Sequence, residues 1–305
     1  MSPKKLAVII VAAIIIVAAV SVVLLTQGPA DSKVQRTYIA QGGSETMYDL
    51  GLKWASDYTD ANPLTTINVS RGGTSTGITG MLNGTLDIAD ASNQMTADQL
   101  ATARSEGKNV TELKVALDGV AILVNPNNPV TSLDLEQLRG LYNGTITNWN
   151  MVGGNDQTVQ IYGRNNTSGT YSFFQQHVLN NENYSSNMSE YDNYDLMIPD
   201  IMSHGGAVGY VGIGFATNYP DVKIVALKVN STSLEYLPTK QNVLSGVYPL
   251  WRYLYLYTTE TLSDGMLNYL KWVVSPSGGQ TVTQEMGFYS IPDNISADDL
   301  QKLGG

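Results

Sequence analysis

Three short segments combine glycine with serine or threonine where a predicted strand gives way to a predicted helix. They are GGSET at 42–46, GGTSTG at 72–77 and GRNNTSGT at 163–170. A helix N-terminus offers N–H groups without intrahelical partners and the positive end of the helix dipole, and hydroxyl groups add donors. Three such ends meeting at one point would bind an anion. The alternative for each segment is ordinary helix capping, which favours the same residues.

Arg164 makes the third segment the most specific of the three. A guanidinium has a planar fork that matches two oxygens of an oxyanion, and it stays charged at any relevant pH. The other interpretation of Arg164 is a salt bridge with one of the 27 acidic residues of the chain. The residues alone therefore indicate an oxyanion site that contains one well-placed cation.

The elements that would position these segments alternate from Val34 onward as strand, glycine-rich turn and helix, which is typical of an α/β fold with mainly parallel strands. The predicted strands lie at 37–40, 66–70, 86–89, 113–125, 158–162, 207–211 and 222–229. The predicted helices lie at 47–58, 77–83, 96–105, 133–142, 168–179, 197–203 and 262–274, with a short one after 296. We expect Thr96 to cap its helix, and the polar segment 180–194 to be a surface loop.

Two long β-rich runs, 113–125 and 222–229, suit strands that pass from one lobe to another. We place the crossings near Gly119 and Asn230. This predicts a first lobe of residues 34–119 and 231–305 and a second lobe of residues 120–230.

The N-terminus carries Lys4 and Lys5 followed by an apolar run from Leu6 to Leu25. Twenty such residues are long enough to span a bilayer, and the lysines favour a cytoplasmic N-terminus. We therefore expect residues 1–30 to be a membrane anchor, with the rest of the chain outside the cell. The alternative is a cleaved signal peptide, whose apolar core is usually shorter.

The net charge of −10 argues against nucleic acid or an anionic membrane surface as a partner, whereas local N–H groups and one cation can still bind an anion. The chain has no cysteine, and the sequence indicates neither a metal site nor a cofactor. N-glycosylation sequons fit an exported chain, although a composition rich in asparagine and threonine also produces them by chance. They begin at Asn68, Asn83, Asn109, Asn143, Asn165, Asn166, Asn183, Asn187, Asn230 and Asn294.

The motifs occur in an order that resembles the phosphate-binding protein of high-affinity phosphate ABC importers, the PstS family. GGSET resembles the first loop of that family, GGTSTG its second, and DIADASN at 87–93 its third segment; GRNNTSGT resembles its R-x-x-x-SGT element, and GGAVGYVGIGFA at 205–216 its A-I-G-Y-V strand. The resemblance implies a two-lobed periplasmic-binding-protein-like fold of type II with a two-strand hinge. It also implies phosphate as ligand and the membrane subunits of an ABC transporter as partners.

Carried over by motif, the resemblance implies that the ligand contacts come from all three glycine-rich segments. They would be Ser44, Glu45 through its N–H, Thr46, Thr74, Ser75, Arg164, Ser168, Gly169 and Thr170.

The DIADASN segment departs from the family, which commonly has aspartate or arginine where this chain has Ser92 and Asn93. An aspartate accepts the proton of monohydrogen phosphate, and sulfate has no such proton. Asn93 can accept through its carbonyl oxygen, and Glu45 or Asp90 could supply a carboxylate, although solvation or capping is the commoner role for an acidic residue. Sulfate, molybdate and tungstate therefore stay open as ligands.

A secreted phosphatase with Ser44 or Ser168 as nucleophile is the alternative from another class of protein. Activating a serine requires a base, and His177 and His204 are the only histidines of the chain. Neither lies in a recognisable triad or metal motif, so we expect a binding protein and not an enzyme. The run YPLWRYLYLY at 248–257 predicts a strand with one aromatic face, which suits core packing or, alternatively, sugar stacking.

Overall fold

The computed structural model describes residues 36–259 and 262–304, so the predicted anchor at 1–30 lies outside the described residues. Within the described ranges, no helix is both long and apolar enough to cross a bilayer. The strands there are β1 (Thr37–Gly43), β2 (Thr65–Arg71), β3 (Ile88–Ala91), β4 (Val110–Val124), β5 (Ser132–Asp134), β6 (Gln160–Arg164), β7 (Ser189–Tyr191), β8 (Ala207–Gly212), β9 (Lys223–Lys228) and β10 (Trp251–Thr259).

Helices separate most of these strands along the chain. They are α1 (Tyr48–Ala61), α2 (Thr74–Asn83), α3 (Ala97–Ser105), α4 (Leu135–Asn143), α5 (Gly169–His177), α6 (Tyr194–Ser203), α7 (Ile213–Ala216), α8 (Lys240–Leu244), α9 (Asp264–Val274), α10 (Gly279–Glu285) and α11 (Asp293–Lys302). Short 3-10 turns lie at Glu45–Met47 and Trp149–Val152. The expected capping by Thr96 is confirmed, because its side chain accepts a hydrogen bond from the N–H of Gln99 in a capping box.

The first half of the sheet has the strand order β2-β1-β3-β10-β4. β1 pairs in parallel with β2 and β3, whereas β10 pairs antiparallel with β3 and with the first part of β4. One face carries part of the larger apolar cluster, including Trp54 of α1 and Tyr269 of α9, and the same cluster continues along β4 to Phe174 of α5 and Tyr210 of β8 in the second half of the sheet. A smaller cluster with Ile78 and Met81 of α2 covers the other face. We call the elements packed on this first half the first lobe.

The second half of the sheet, with its covering helices, forms the second lobe. Here the last five residues of β4 pair antiparallel with β8, and β6 pairs in parallel with β8 and β7. β9 pairs with β4 and β5. Helix α6 packs Tyr194, Met197 and Ile201 into the buried cluster that contains Val211 of β8. Each lobe therefore has its own helix-covered sheet surface.

β4 passes between the lobes, because it pairs with β10 as far as Gly119 and with β8 from Val120 onward. The expectation that the 222–229 run returns the chain to the first lobe is wrong. β9 stays paired with residues 122–124 of β4, so the return lies in the segment 229–250 that contains α8. One continuous strand and one irregular segment thus connect the lobes, in place of the two strands that the family resemblance implied.

Two further elements differ from the sequence expectations. The polar segment 180–194 contains β7, which pairs with β6, and it ends at the first residue of α6. Strand β3 lies two residues later than expected, because its pairing with β1 begins at Ile88 opposite Gln41. Both elements depend on pairing with strands distant along the chain, which local composition does not reveal.

Candidate functional site

The first glycine-rich segment follows β1 and enters the 3-10 turn before α1. The N–H of Ser44 donates to the carbonyl of Asp90 at 2.9 Å, which holds the segment against β3. The Ser44 hydroxyl makes no capping bond. Its oxygen is buried and has no hydrogen-bond partner among the described residues. Capping therefore does not explain Ser44.

The second segment begins α2 at Gly73, whose φ of +86° and extended ψ form a conformation that glycine alone adopts readily. Thr74 Oγ1 accepts a hydrogen bond from the N–H of Ser92 at 3.1 Å and lies 3.3 Å from Ser92 Oγ. The N–H of Ser75 donates to the carbonyl of Thr167 in the second lobe at 3.2 Å. The Ser75 side chain is half-buried and lies at the edge of the site. The second segment thus contacts both the DIADASN segment at 87–93 and the opposite lobe.

The GRNNTSGT segment ends at Ser168, which does cap its helix. Ser168 Oγ accepts from the N–H groups of Thr170 and Tyr171 at 3.2 and 3.4 Å. Because those two bonds use both lone pairs, the hydroxyl hydrogen of Ser168 is left to donate elsewhere. Capping and ligand binding are therefore compatible at this serine.

Gly169 is a point of close approach between the lobes. A Cβ atom at this residue would lie 2.4 Å from Thr74 Oγ1, 2.6 Å from Ser92 Oγ and 2.7 Å from Asn93 Oδ1. Real Cβ atoms essentially never come this close to their neighbours. Only glycine lets the start of α5 reach the first lobe at this distance.

Two threonines complete the contact between the lobes. Thr46 Oγ1 lies 3.0 Å from Thr170 Oγ1, and the hydroxyl of Tyr194 lies 3.2 and 2.9 Å from these two oxygens. All three side chains are buried. We use the term cradle for the group of polar side chains that these contacts bring together. Its members are Ser44, Thr46, Thr74, Ser92, Asn93, Arg164, Ser168, Thr170 and Tyr194.

Arg164 lies at the end of β6 and is only 1% exposed. Its Nε donates to the carbonyl of Tyr191 at 3.0 Å and its Nη2 to the carbonyl of Asp192 at 2.6 Å, while the guanidinium lies 4.5 Å from the centre of the Tyr194 ring. Nη1 has no hydrogen-bond partner among residues 36–259 and 262–304. Within the same ranges, Arg164 forms no salt bridge. The interpretation of Arg164 as an ion-pair residue is therefore wrong.

The carboxylates considered as proton acceptors have other partners. Glu45 Oε2 accepts from Arg71 Nη1 at 2.6 Å. Burial raises the pKa of Glu45, and the charges of Arg71 and Arg164 oppose that rise. Asp90 is fully buried, with its Oδ1 bonded to Gln41 Nε2 at 2.8 Å, so it is not solvated as expected. Burial raises the pKa of Asp90 to about 7, and the hydrogen bond from Gln41 opposes that rise.

Asp90 Oδ2 is buried and has no partner among the described residues either, but it lies toward α1, 3.6 Å from where a Cβ atom at Gly51 would stand. Asn93 Oδ1 is likewise buried and has no hydrogen-bond partner in the described part of the chain. This oxygen is an acceptor close to Gly169 in a site otherwise rich in donors. Of the acceptors proposed from the sequence, Asn93 is thus the one whose side-chain oxygen is both buried in the cradle and without a partner.

Sequence reasoning missed Tyr194, Arg252 and Asp118. Tyr194 stood in the predicted loop, and Arg252 stood in the aromatic strand assigned to core packing or sugar stacking. Arg252 Nη2 donates to Thr170 Oγ1 at 3.0 Å and to Asp118 Oδ2 at 2.7 Å. Asp118 and Arg252 are far apart in the sequence, so only the strand register that places them opposite each other could have revealed the roles of these two residues.

The two histidines have hydrogen-bond partners other than the candidate nucleophiles Ser44 and Ser168. His177 Nδ1 lies 2.9 Å from the carbonyl of Phe173, and His204 Nδ1 lies 2.9 Å from the carbonyl of Asp200. In the described part of the chain, neither Ser44 nor Ser168 hydrogen-bonds to a histidine or a carboxylate. No group of three or more histidine, cysteine or acidic residues could hold a metal ion there.

Two α/β lobes that meet around a polar cradle define a protein of the periplasmic-binding-protein type. The sequence pattern of the family described as the PBP superfamily domain matches residues 28–277, and the chain belongs to this family.

Relatives and solved structures confirm the resemblance to the PstS family. The phosphate-binding protein PstS of Pseudomonas aeruginosa is 28% identical over 279 residues, which cover 86% of this chain and 85% of the relative. The PstS protein of Bacillus subtilis is 27% identical over 253 residues, which cover 82% and 80% of the two chains. An ABC-type phosphate transport receptor from Vibrio cholerae matches with a TM-score of 0.68 and 26% identity, covering 83% of this chain and 100% of that one. A substrate-binding protein from Clostridium perfringens, solved with bound phosphate, matches in fold with a TM-score of 0.76 and 24% identity, covering 84% and 100%.

Proposed function

We propose that this chain captures phosphate between its two lobes and delivers it to the membrane subunits of an ABC importer. The observation that carries the proposal is Arg164, a buried cation with a free donor and no carboxylate partner in the described residues. An uncompensated buried charge costs several kcal/mol, so a site with this arrangement favours an anion strongly. The names of the relatives, which are phosphate-binding and phosphate-transport proteins, support phosphate as that anion.

The other cradle groups suit a tetrahedral oxyanion that carries a proton. Ser44 and Ser168 supply hydroxyl donors, and the N-terminus of α5 adds the positive end of a helix dipole. Asn93 Oδ1 supplies one buried acceptor, which monohydrogen phosphate can satisfy and sulfate cannot. These side chains would contact the ion together with Glu45, Thr46, Thr74, Ser75, Ser92, Gly169 and Thr170.

The same contacts support binding without hydrolysis. A serine nucleophile needs a base within hydrogen-bond reach, and the partners of Ser168 Oγ are two backbone N–H groups. We therefore propose a transport function and no phosphatase activity for this site.

The decisive experiment is calorimetric titration of the full-length chain in detergent with phosphate, sulfate, molybdate and tungstate. We expect phosphate to bind most tightly. The Arg164→Met variant should lose affinity by a factor of about 100 or more, because a hydrogen bond to a charged group and its Coulomb attraction are both removed. The matched variant Arg104→Met, at the exposed C-terminal end of α3, should bind as the wild type does. No heat with phosphate while tungstate binds tightly would contradict the choice of ligand.

The lobes would close over the ion through movement at the two connections between them. We propose a first lobe of residues 37–119 and 251–304 and a second lobe of residues 120–228, with 229–250 as the second connection. The pairing change in β4 at Gly119 and the contact between Val120 N and Leu250 O support these bounds.

We further propose that residues 1–30 anchor the protein to the membrane with the two lobes on the extracytoplasmic side. The apolar run from Leu6 to Leu25 after two lysines supports this proposal. The full-length chain should remain in the membrane fraction after alkaline carbonate extraction, and a chain that lacks residues 1–30 should not. If carbonate instead releases a product with a shortened N-terminus after expression of the whole sequence, a cleaved signal peptide would be favoured.

A further inference from the structure

A buried ion pair joins Arg252 to Asp118 where β4 leaves the first lobe. The two residues are direct partners in the β4–β10 pairing, next to the crossing at Gly119 and Val120. Arg252 Nε and Nη2 donate to Asp118 Oδ2 at 2.9 and 2.7 Å, and both side chains are buried. Such a pair adds little net stability but fixes the geometry around it, because a misplaced partner would leave a buried charge uncompensated.

The ion pair is hydrogen-bonded to both lobes. Arg252 Nη1 donates to the carbonyl of Ser92 in the first lobe at 2.9 Å, and Nη2 donates to Thr170 Oγ1 in the second lobe at 3.0 Å. Asp118 Oδ1 accepts from the N–H of Ile213 in the second lobe at 2.9 Å. Arg252 thus reaches acceptors in three directions, which suits a guanidinium fork and not a single ammonium group.

The ion pair affects the cradle through the hydrogen bonds that Thr170 Oγ1 accepts. Arg252 Nη2 and the hydroxyl of Tyr194 both donate to Thr170 Oγ1, at 3.0 and 2.9 Å. A hydroxyl oxygen has two lone pairs and one hydrogen. Because both lone pairs are used, the hydrogen of Thr170 can only be donated, either to Thr46 or to an anion in the cradle.

We propose that Arg252, held by Asp118, is a positioning residue that orients the Thr170 hydroxyl as a donor and stabilises the closed arrangement of the lobes, so that it slows release of the bound oxyanion. The inference rests on the proposed function and extends it to the lifetime of the complex. When the lobes separate, the bond from Arg252 to Thr170 must break, since the two residues belong to different lobes. That bond therefore favours the closed state specifically.

The test is a cycle of variants, Arg252→Lys, Thr170→Val and the double variant, in the full-length chain in detergent. Affinity for inorganic phosphate is measured by calorimetry, and release is followed by rapid filtration of labelled phosphate. Arg252→Lys should weaken binding about 10- to 100-fold, mainly through faster release, because it removes a charge-assisted hydrogen bond made only in the closed state. In the Thr170→Val background, the same change should have almost no further effect.

The results separate a failure of the inference about Arg252 from a failure of the proposed function. Wild-type affinity and release rate in a folded Arg252→Lys variant would overturn the inference, as would an equal loss of affinity in the Thr170→Val background. Absence of phosphate binding by the wild type would instead refute the proposed function, and it would appear before any variant is compared. If Arg252→Lys does not fold, Tyr194→Phe removes the other donor to Thr170 and leaves the ion pair intact. This variant should also release phosphate faster, and an unchanged rate would contradict the inference.

Discussion

Under the proposed function, single polar atoms in the cradle decide which oxyanion is preferred. Arg164 Nη1 and Ser44 Oγ are buried donors without partners in the described residues, and they match any oxyanion equally well. Asn93 Oδ1 is different, because it can only accept. The asparagine amide can, however, turn so that its NH₂ group donates instead, which would relax the preference for a protonated ligand.

The Asn93→Asp variant should therefore discriminate more strongly between phosphate and sulfate. A carboxylate at this position accepts the proton of phosphate and cannot turn to offer a donor. A buried acceptor that faces sulfate without a proton costs about 1–3 kcal/mol, so the phosphate-to-sulfate affinity ratio should rise about tenfold. Competition calorimetry at constant pH measures that ratio.

The control for this variant is Asn150→Asp, which makes the same change of charge at an exposed position in the 149–152 turn. It should leave the ratio unchanged. A ratio that falls or stays constant in Asn93→Asp would show that Asn93 does not face the ligand.

Asp90 contributes a pH dependence to stability that is separate from binding. Burial raises its pKa in the folded state from 3.8 to about 7, with Oδ1 bonded to Gln41 and Oδ2 without a partner in the described residues. Below about pH 3 the group is mostly protonated in both the folded and the unfolded chain. As the pH rises toward 7, the unfolded chain ionises first, so folding stability falls by about 4 kcal/mol and then levels off.

The Asp90→Asn variant should lack this loss of folding stability between acidic and neutral pH. Urea unfolding at pH 4.5, 6 and 8 measures the free energy of unfolding, and the variant should gain on the wild type as the pH rises. Asp221→Asn, at an exposed aspartate, is the matched control and should follow the wild type. Parallel pH curves for the wild type and Asp90→Asn would contradict a raised pKa in the folded state.

At the scale of elements, the three helix starts and the close approach at Gly169 assemble the cradle. A side chain at Gly169 would meet Thr74, Ser92 and Asn93, all of which lie in the opposite lobe. The clash therefore exists only when the lobes are closed. Alanine is otherwise a better helix residue than glycine, so the fold of α5 itself should not suffer.

The Gly169→Ala variant should thus keep or slightly raise its melting temperature. Its phosphate affinity should fall at least about tenfold, since closing would bring a Cβ atom within 3 Å of the side-chain oxygens of Thr74, Ser92 and Asn93. Calorimetry and thermal unfolding of the same preparation measure both effects. Gln176→Ala, at an exposed residue of the same helix, should change neither binding nor folding by much. Wild-type affinity in Gly169→Ala would show that the ligand is bound without this closure.

The glycine-rich turns were predictable from the sequence because they depend on local backbone geometry, and Arg164 could be proposed because it lies within such a segment. Arg252 and Tyr194 were not, because their roles depend on strand register and on contacts between residues far apart in the chain. The same reason explains why β7 was missed and why β9 was expected to return to the first lobe. The local sequence pattern identifies the glycine-rich turns, whereas strand pairing between distant segments decides which side chains lie opposite those turns.

For the whole molecule, the net charge of −10 opposes the approach of an anion to a site that attracts it at short range. Arg71 is neutralised by Glu45, and Arg252 by Asp118. The attraction by Arg164 acts over a few ångströms, whereas the repulsion from the surface acts over the Debye length. Salt should therefore change the association rate and the release rate differently.

The association rate of phosphate should rise by a factor of about two or more between 0.01 and 0.15 M NaCl, because the Debye length shortens from about 30 to about 8 Å and screens the surface repulsion. The release rate should stay nearly constant, since the buried contacts of Arg164 are screened much less. Stopped-flow association at constant pH, with sucrose as a viscosity control, separates the two rates. The monoanion, which predominates at acidic pH, should show a weaker salt dependence than the dianion. An association rate that falls with salt would mean that a local positive field at the mouth of the cleft outweighs the charge of the whole protein.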